Sequence, residues 1–221
     1  MAKDVHRPEK PPAGGLNICP NQTRVRLQSE AMEHWDVLVV AGPSGVGKSQ
    51  VSYPLARHFG VSIVEVDDLF HAVEAATTPD QQPLLHFWQT HPEELESTPE
   101  RILDIHLNTC RAMGPSIASV IENHIETAMP IVLDGDYVLP EVAAAYPDRV
   151  KSVFLIEDSP VQIVRNLLSR EPNEGNQRKR ADVSVLFGHW LRGECSRFGL
   201  VSISARPWTT ILQRVIAVAS G

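Results

Sequence analysis

Apolar positions along the chain come in short runs, each closing on polar residues. "DVLVVAG" (Asp36–Gly42) reads as a buried strand, and "VSIVEVDD" (Val61–Asp68) as a second. "PIVLDGD" (Pro130–Asp136), "VKSVFLIED" (Val150–Asp158) and "GLVSISA" (Gly199–Ala205) give a third, fourth and fifth. Helical patterns lie between them. "GKSQVSYPLARHFG" predicts a helix ending at Gly60, with Pro54 near its first turns as a point of bending. "SPVQIVRNLLSR" opens with a capping serine, Ser159, and Pro160 at the first helical position. "PWTTILQRVIAVAS" closes the chain as a helix. From about 69 to 128 the pattern is helical, with proline breaks expected near Thr78–Pro83, His91–Pro92 and Gly114–Pro115.

Short apolar strands alternating with helices predict a three-layer α/β/α domain with a mostly parallel five-stranded sheet and a helical insertion. Ligands of such sheets bind beyond the carboxyl ends of the strands. The glycine-rich segment after Val40, "VDD", "LDGD" and "IED" all fall at such ends. Residues 1–32 read as a flexible leader, punctuated by Pro8, Pro11, Pro12, Gly14 and Gly15. Residues 33–221 form the expected domain.

Composition narrows the function. Hydrophobic residues make up 43% of 221, enough for a packed core. The net charge of -7 argues against a polynucleotide or an anionic membrane as the main partner. No apolar run approaches the roughly 18 residues of a membrane span. Cys19, Cys110 and Cys195 are far apart and odd in number, so neither a disulfide framework nor a zinc spacing is present. A cytoplasmic protein is the expectation.

The strongest chemical signal is Gly42-Pro43-Ser44-Gly45-Val46-Gly47-Lys48-Ser49. It has the Walker A spacing and sits between a strand and a helix, where backbone N–H groups can cradle an anion. Lys48 reaches outer phosphates and Ser49 suits Mg²⁺, which points to ATP with Mg²⁺, GTP being the other option. Asp67 or Asp68 can orient or deprotonate an acceptor hydroxyl, although Asp68 also suits a helix cap. Asp134 resembles a Walker B carboxylate that supports the metal, and Asp136 faces the acceptor, with Gly135 permitting close approach of that acceptor. Arg170, Arg178, Lys179 and Arg180 cluster in an arginine-rich segment at about 170–182 that suits a lid closing over phosphates, with Arg178 and Arg180 the first choices and the inserting arginine left open. Arg206, after the fifth strand, can stack on a nucleotide base. His86, His91, His106, His124 and Trp88 lie in the insertion and are read as packing residues before pocket residues.

With these residues in view, the chain resembles the small P-loop kinases of the nucleoside-monophosphate and gluconate/shikimate type. Within them it is most similar to 2-phosphoglycerate-kinase-like proteins, through "GPSGVGKS", "VEVDDLF", "VLDGDYVLP", "RADVSVLFGHWL" and "ARPW". That resemblance covers about Asp36 to the C-terminus. It implies a P-loop NTPase fold and phosphoryl transfer from ATP to a hydroxyl of a small metabolite. The family typically carries an arginine just after its aspartate, where this chain has Leu69, Phe70 and His71. The acceptor therefore stays open, as does assembly into a homo-oligomer. Two other functions compete: a nucleotide-driven switch or hydrolase with a macromolecular partner, and a binding module without transfer. The chain has no "NKxD" guanine-reading motif, which weighs against a GTPase.

Overall fold

The computed structural model describes residues 35–221. The predicted leader, 1–32, lies outside the described residues, with Cys19. Five strands, β1 (Val37–Ala41), β2 (Ser62–Glu65), β3 (Ile131–Gly135), β4 (Val150–Ile156) and β5 (Val201–Ser204), form one sheet in the order β2-β3-β1-β4-β5. Every pairing is parallel. The central strand β1 is buried throughout, which is why its sequence is an unbroken apolar run.

Alternation along the strands divides the core in two. Val37, Val39 and Ala41 point to one face with Ile131, Leu133, Phe154 and Ile156. Leu38 and Val40 point to the other with Val132, Val153 and Leu155. The first face is covered by α2 (Val66–Ala75), α4 (Pro99–Thr127), α5 (Pro140–Ala144) and α7 (Arg178–Phe198). The second is covered by α1 (Ser49–Phe59) and α8 (Ile211–Ala219). The result is the expected three-layer α/β/α fold. The short α3 (Phe87–Thr90) and a 3₁₀ turn, Pro92–Glu96, belong to the insertion, and α6 (Pro160–Arg170) leads to the arginine-rich segment. Ser159 caps α6 by accepting from the Gln162 backbone N–H at 3.3 Å, as its sequence predicts.

Two expectations need correction. The second strand stops at Glu65, and Val66 already begins α2. Asp67 and Asp68 therefore lie in the first helical turn, and Asp68 is not the cap, a position held by Glu65. Gly135 makes room for this helix, since a Cβ there would lie 2.6 Å from the Val66 Cβ. Gly135 thus seats α2 against β3.

The expected break at Gly114–Pro115 does not occur either. Helix α4 runs through it, burying Cys110, Met113, Ile117 and Ile121 on one stripe. Pro115 is on the exposed side, as is Arg111 four residues earlier. The carbonyl that loses its N–H partner to proline thus faces solvent, and stripe burial outweighs the roughly 3 kcal/mol cost of an interior proline.

Candidate functional site

The glycine loop joins β1 to α1, and its shape follows from what presses on it. Gly42 has φ 145°, and a Cβ there would meet the Leu155 carbonyl oxygen at 2.3 Å. Gly47 has φ 97°, and its Cβ would strike the Trp208 ring at 2.5 Å. Neither position accepts a side chain, so the loop lies flush on β4 and Trp208. Val46 is buried in the α1–α8 core and pins the loop's middle. Helix α6 braces it further: Asn166 Nδ2 donates to the Gly45 carbonyl at 2.7 Å, and Gln162 Nε2 donates to Asn166 Oδ1 at 2.9 Å. Lys48 Nζ donates to the Pro43 carbonyl at 3.1 Å, spanning the loop.

Carboxylates face that loop from β3 and α2. Ser49 Oγ donates to Asp134 Oδ2 at 3.0 Å. The other oxygen, Asp134 Oδ1, is buried without a hydrogen-bond partner. Burial pushes the Asp134 carboxyl above its ordinary value, while the Lys48 charge and the Ser49 hydroxyl oppose this. Asp67 and Asp136 line the same cavity and act on each other's affinity for a proton. Burial, then the Asp136 charge, pushes Asp67 up to about 6 against the pull of Lys48. For Asp136, burial acts upward but loses to Lys48, His106, its own backbone N–H and the neighbouring Asp67, so its carboxyl is lowered. The two thus divide roles: Asp67 takes a proton more readily than Asp136. By surface area Asp67 and Asp68 are both exposed, but the Asp67 carboxyl lines the smaller of two cavities, where neighbouring atoms displace water from it, and Asp68 lines neither.

Arginines approach from the opposite side. Arg180, in the first turn of α7, donates from Nη2 to Ser44 Oγ at 3.3 Å and from Nη1 to Glu171 Oε2 at 2.5 Å. Arg170, the last residue of α6, pairs with Glu171 Oε1 at 2.8 Å from Nε and 2.5 Å from Nη2. Arg178 is not brought to the site. Its Nε binds Asp182 Oδ1 at 3.0 Å, one turn along the exposed face of α7. Lys179 reaches away to Glu96 at 2.8 Å and the Leu95 carbonyl at 3.0 Å, tying α7 to the insertion.

Two cavities result. One, of about 210 Å³, is lined by Lys48, Asp67, Asp136, Tyr137, Arg170 and Arg180, among others. The other, of about 450 Å³, lies along the glycine loop and α6 and ends at Arg206 and Trp208. Lys48, Ser49 and Arg170 line both, so the cavities meet at the lysine. Arg206 is held by Glu157 Oε2 at 2.9 Å and sits 5.8 Å from the Trp208 ring centroid. Arg170 is one of the lid arginines the sequence offers; among the site residues that sequence reading missed are Glu65, Phe70, Tyr137, Asn166 and Trp208. Of these Glu65 carried the plainest signal, standing two residues before Asp67 at a strand end. His86, His91, His106 and His124 line neither cavity. His124, for example, bonds the Met129 carbonyl at the end of α4. His71, in the position that drew notice for lacking arginine, does line the smaller one.

Comparison with known proteins places this geometry. A gluconokinase from Sinorhizobium meliloti superposes with a TM-score of 0.52, covering 86% of this chain and 93% of the gluconokinase at 19% identity. The fold is that of a P-loop kinase. No family model matches the chain. In sequence, a 2-phosphoglycerate kinase from Methanococcus vannielii is 22% identical over 137 residues, 56% of this chain and 42% of that protein. One from Pyrococcus horikoshii is 24% identical over 110 residues, 47% of this chain and 36% of its own length. The matched region thus spans less than half of either curated relative. Among the described residues no helix is long and apolar enough to cross a membrane, and no group of three or more His, Cys, Asp or Glu side chains is arranged to hold a metal ion.

Such a kinase fold implies Mg²⁺, and the residues present fit it. Mg²⁺ in phosphoryl-transfer sites takes one or two protein ligands and fills the rest from phosphate and water. Ser49 and Asp134 supply that number, and the unpartnered Asp134 Oδ1 is the acceptor that a bound water of the cation would satisfy.

Proposed function

We propose that the protein transfers the γ-phosphoryl group of Mg·ATP to a hydroxyl of a small metabolite. The single observation that carries this reading is the meeting of two cavities at Lys48, one running along the glycine loop and the other holding the Asp67–Asp136 pair. A hydrolase needs only the first. A second, carboxylate-lined chamber on the far side of the lysine suits an acceptor that must be held in line with the donor.

The roles follow from position. Backbone N–H groups of residues 44–49 cradle the phosphates, and the base lies toward Trp208 and Arg206 in the larger cavity. Mg²⁺, held through Ser49 and Asp134, neutralises charge on the phosphates when bound. Lys48 leaves the Pro43 carbonyl to follow the charge that develops on the transferring group. Asp67 accepts the acceptor's hydroxyl proton, and its raised affinity for a proton suits a base working near neutrality. Asp136, kept ionised, orients that hydroxyl. Arg180 supports the oxygens of the transferring group from the Ser44 side. The similarity to 2-phosphoglycerate kinases makes 2-phosphoglycerate or a related hydroxy acid the first acceptor to try.

The test is ATP consumption by pure protein across hydroxy acids, phosphorylated hydroxy acids, sugars and nucleosides, with Lys48→Ala as control. Acceptor-dependent ADP release together with a phosphorylated product supports transfer. ADP release that no acceptor stimulates would favour hydrolysis instead.

A further inference from the structure

The geometry points to Glu171 as the positioning residue that holds Arg170 and Arg180 as one unit at the junction of the two cavities, a role that rests on the nucleotide reading of the glycine loop. Both oxygens of this carboxylate are used. Oε1 takes Arg170 at 2.8 and 2.5 Å, and Oε2 takes Arg180 at 2.5 Å. The two arginines come from different helices, and without the carboxylate their like charges would repel. Their side chains are 59% and 41% exposed, so packing alone does not fix them. Glu171 is itself anchored, because its backbone N–H donates to the Leu167 carbonyl at 2.8 Å and closes α6. Its carboxyl lies below the ordinary range, first because of the Arg180 hydrogen bond.

The bridge leaves useful donors outside it. Arg180 keeps Nη2 on Ser44 of the glycine loop, and Arg170 keeps Nη1 outside its contact with Glu171. Arg170 lines both cavities and Arg180 lines the smaller one beside Lys48. A planar guanidinium binds phosphate oxygens well only when its orientation is set, and a long exposed side chain loses much freedom in being set. Glu171 bears that ordering before the ligand arrives. It also offsets one of the two positive charges, so the pair can sit close without spreading. The terminal phosphate is the group next to this junction. On the nucleotide reading the inner phosphates and the base lie farther along the glycine loop toward Trp208 and Arg206, so the terminal phosphate meets both guanidinium groups and the others meet Arg170 at most.

The experiment compares affinity for Mg·ADP with that for a non-hydrolysable Mg·ATP analogue, by calorimetry, in the full-length wild type, Glu171→Gln and Glu171→Asp. Glu171→Gln should bind the analogue about ten-fold more weakly, as expected for slackening a charge-assisted contact, while Mg·ADP affinity stays within about two-fold. Glu171→Asp should recover part of the loss. A folding defect would weaken both ligands and lower the melting temperature, so the ratio of the two affinities separates it from positioning. Unchanged analogue affinity in Glu171→Gln overturns the proposal. Tighter binding overturns it too, since it would mean the carboxylate competes with phosphate for the arginines. A wild type that binds neither nucleotide refutes the nucleotide reading itself, and the role of Glu171 with it.

Discussion

Asp136→Asn should move the acid limb of kcat/KM to lower pH. In the wild type, Asp67 is pushed up to about 6 by burial and by the Asp136 charge, against Lys48. A carboxyl of that value is about nine-tenths ionised at pH 7 and about one-tenth ionised at pH 5. If ionised Asp67 is the base, kcat/KM falls about ten-fold between those two pH values. Asparagine removes the neighbouring charge and leaves burial and Lys48 in place, so the fall must shrink. A limb displaced by one pH would leave about a two-fold fall. The assay is initial-rate ADP release with the best acceptor from the panel, followed from mildly acidic to mildly alkaline pH. Asp136 lines the proposed acceptor cavity, so the height of the profile should drop in the variant, and the limb's position is what is read. A limb that stays near pH 6, or moves up, refutes both the coupling and the role of Asp67 as base. Stability gives an independent check. A carboxyl raised in the fold contributes stability that is complete below the ordinary 3.8 and is lost as pH rises through about 6. Asp136, lowered in the fold, works in the opposite sense: its contribution is present above 3.8 and lost as pH falls. Asp67→Asn should therefore melt higher than wild type at pH 7, with the gap closing toward pH 4.

Asp134→Asn removes the charge beside Ser49 and should raise the Mg²⁺ concentration for half-maximal turnover about ten-fold or more, read by titrating Mg²⁺ at fixed ATP; an unchanged midpoint removes Asp134 from the metal's surroundings. Arg180→Ala should lower kcat/KM on the order of 10²-fold, as for loss of one transition-state donor, whereas Arg178→Ala, which loses only the Asp182 pair, should stay within about two-fold. Steady-state kinetics on both variants decide this, and equal losses would return Arg178 to the site. Gly135→Ala places a methyl 2.6 Å from the Val66 Cβ and should cost about 1–3 kcal/mol by overpacking, measured by denaturant unfolding. The same displacement tilts the start of α2 and Asp67 with it, so kcat should fall even where the fold survives; full stability with full turnover would show that α2 is not seated by this contact.

The legible parts of the sequence are those whose physics is local. The stretch from Gly42 to Ser49 is legible because three glycines within six residues mark a backbone at positive φ even before the distant contacts that press on it, Leu155 and Trp208, are known. The strands are legible for a related reason: Val37–Ala41 is apolar at every position because both faces are covered. Local rules fail where a distant contact overrides them. Proline at 115 reads as a break, yet the apolar stripe of α4 crosses it with the lost hydrogen bond turned to solvent. Asp67 and Asp68 read as equals on a strand end. The choice between them is made by Val66, which packs on Gly135, distant in sequence, and starts a helix one residue before Asp67.

The arginines show the limit most clearly. A run of basic residues says that positive charge is nearby, but which guanidinium faces the phosphates depends on where α6 stops and α7 starts. Arg178 precedes Asp182 by one turn, a spacing that satisfies it on the helix's own surface once the segment is known to be helical. Arg180 has no such partner on α7 and finds Glu171 and Ser44 across the gap. Arg180 thus meets the glycine loop because its own helix leaves it unsatisfied, and a basic segment is better read by subtracting the charges that neighbours one turn away already neutralise.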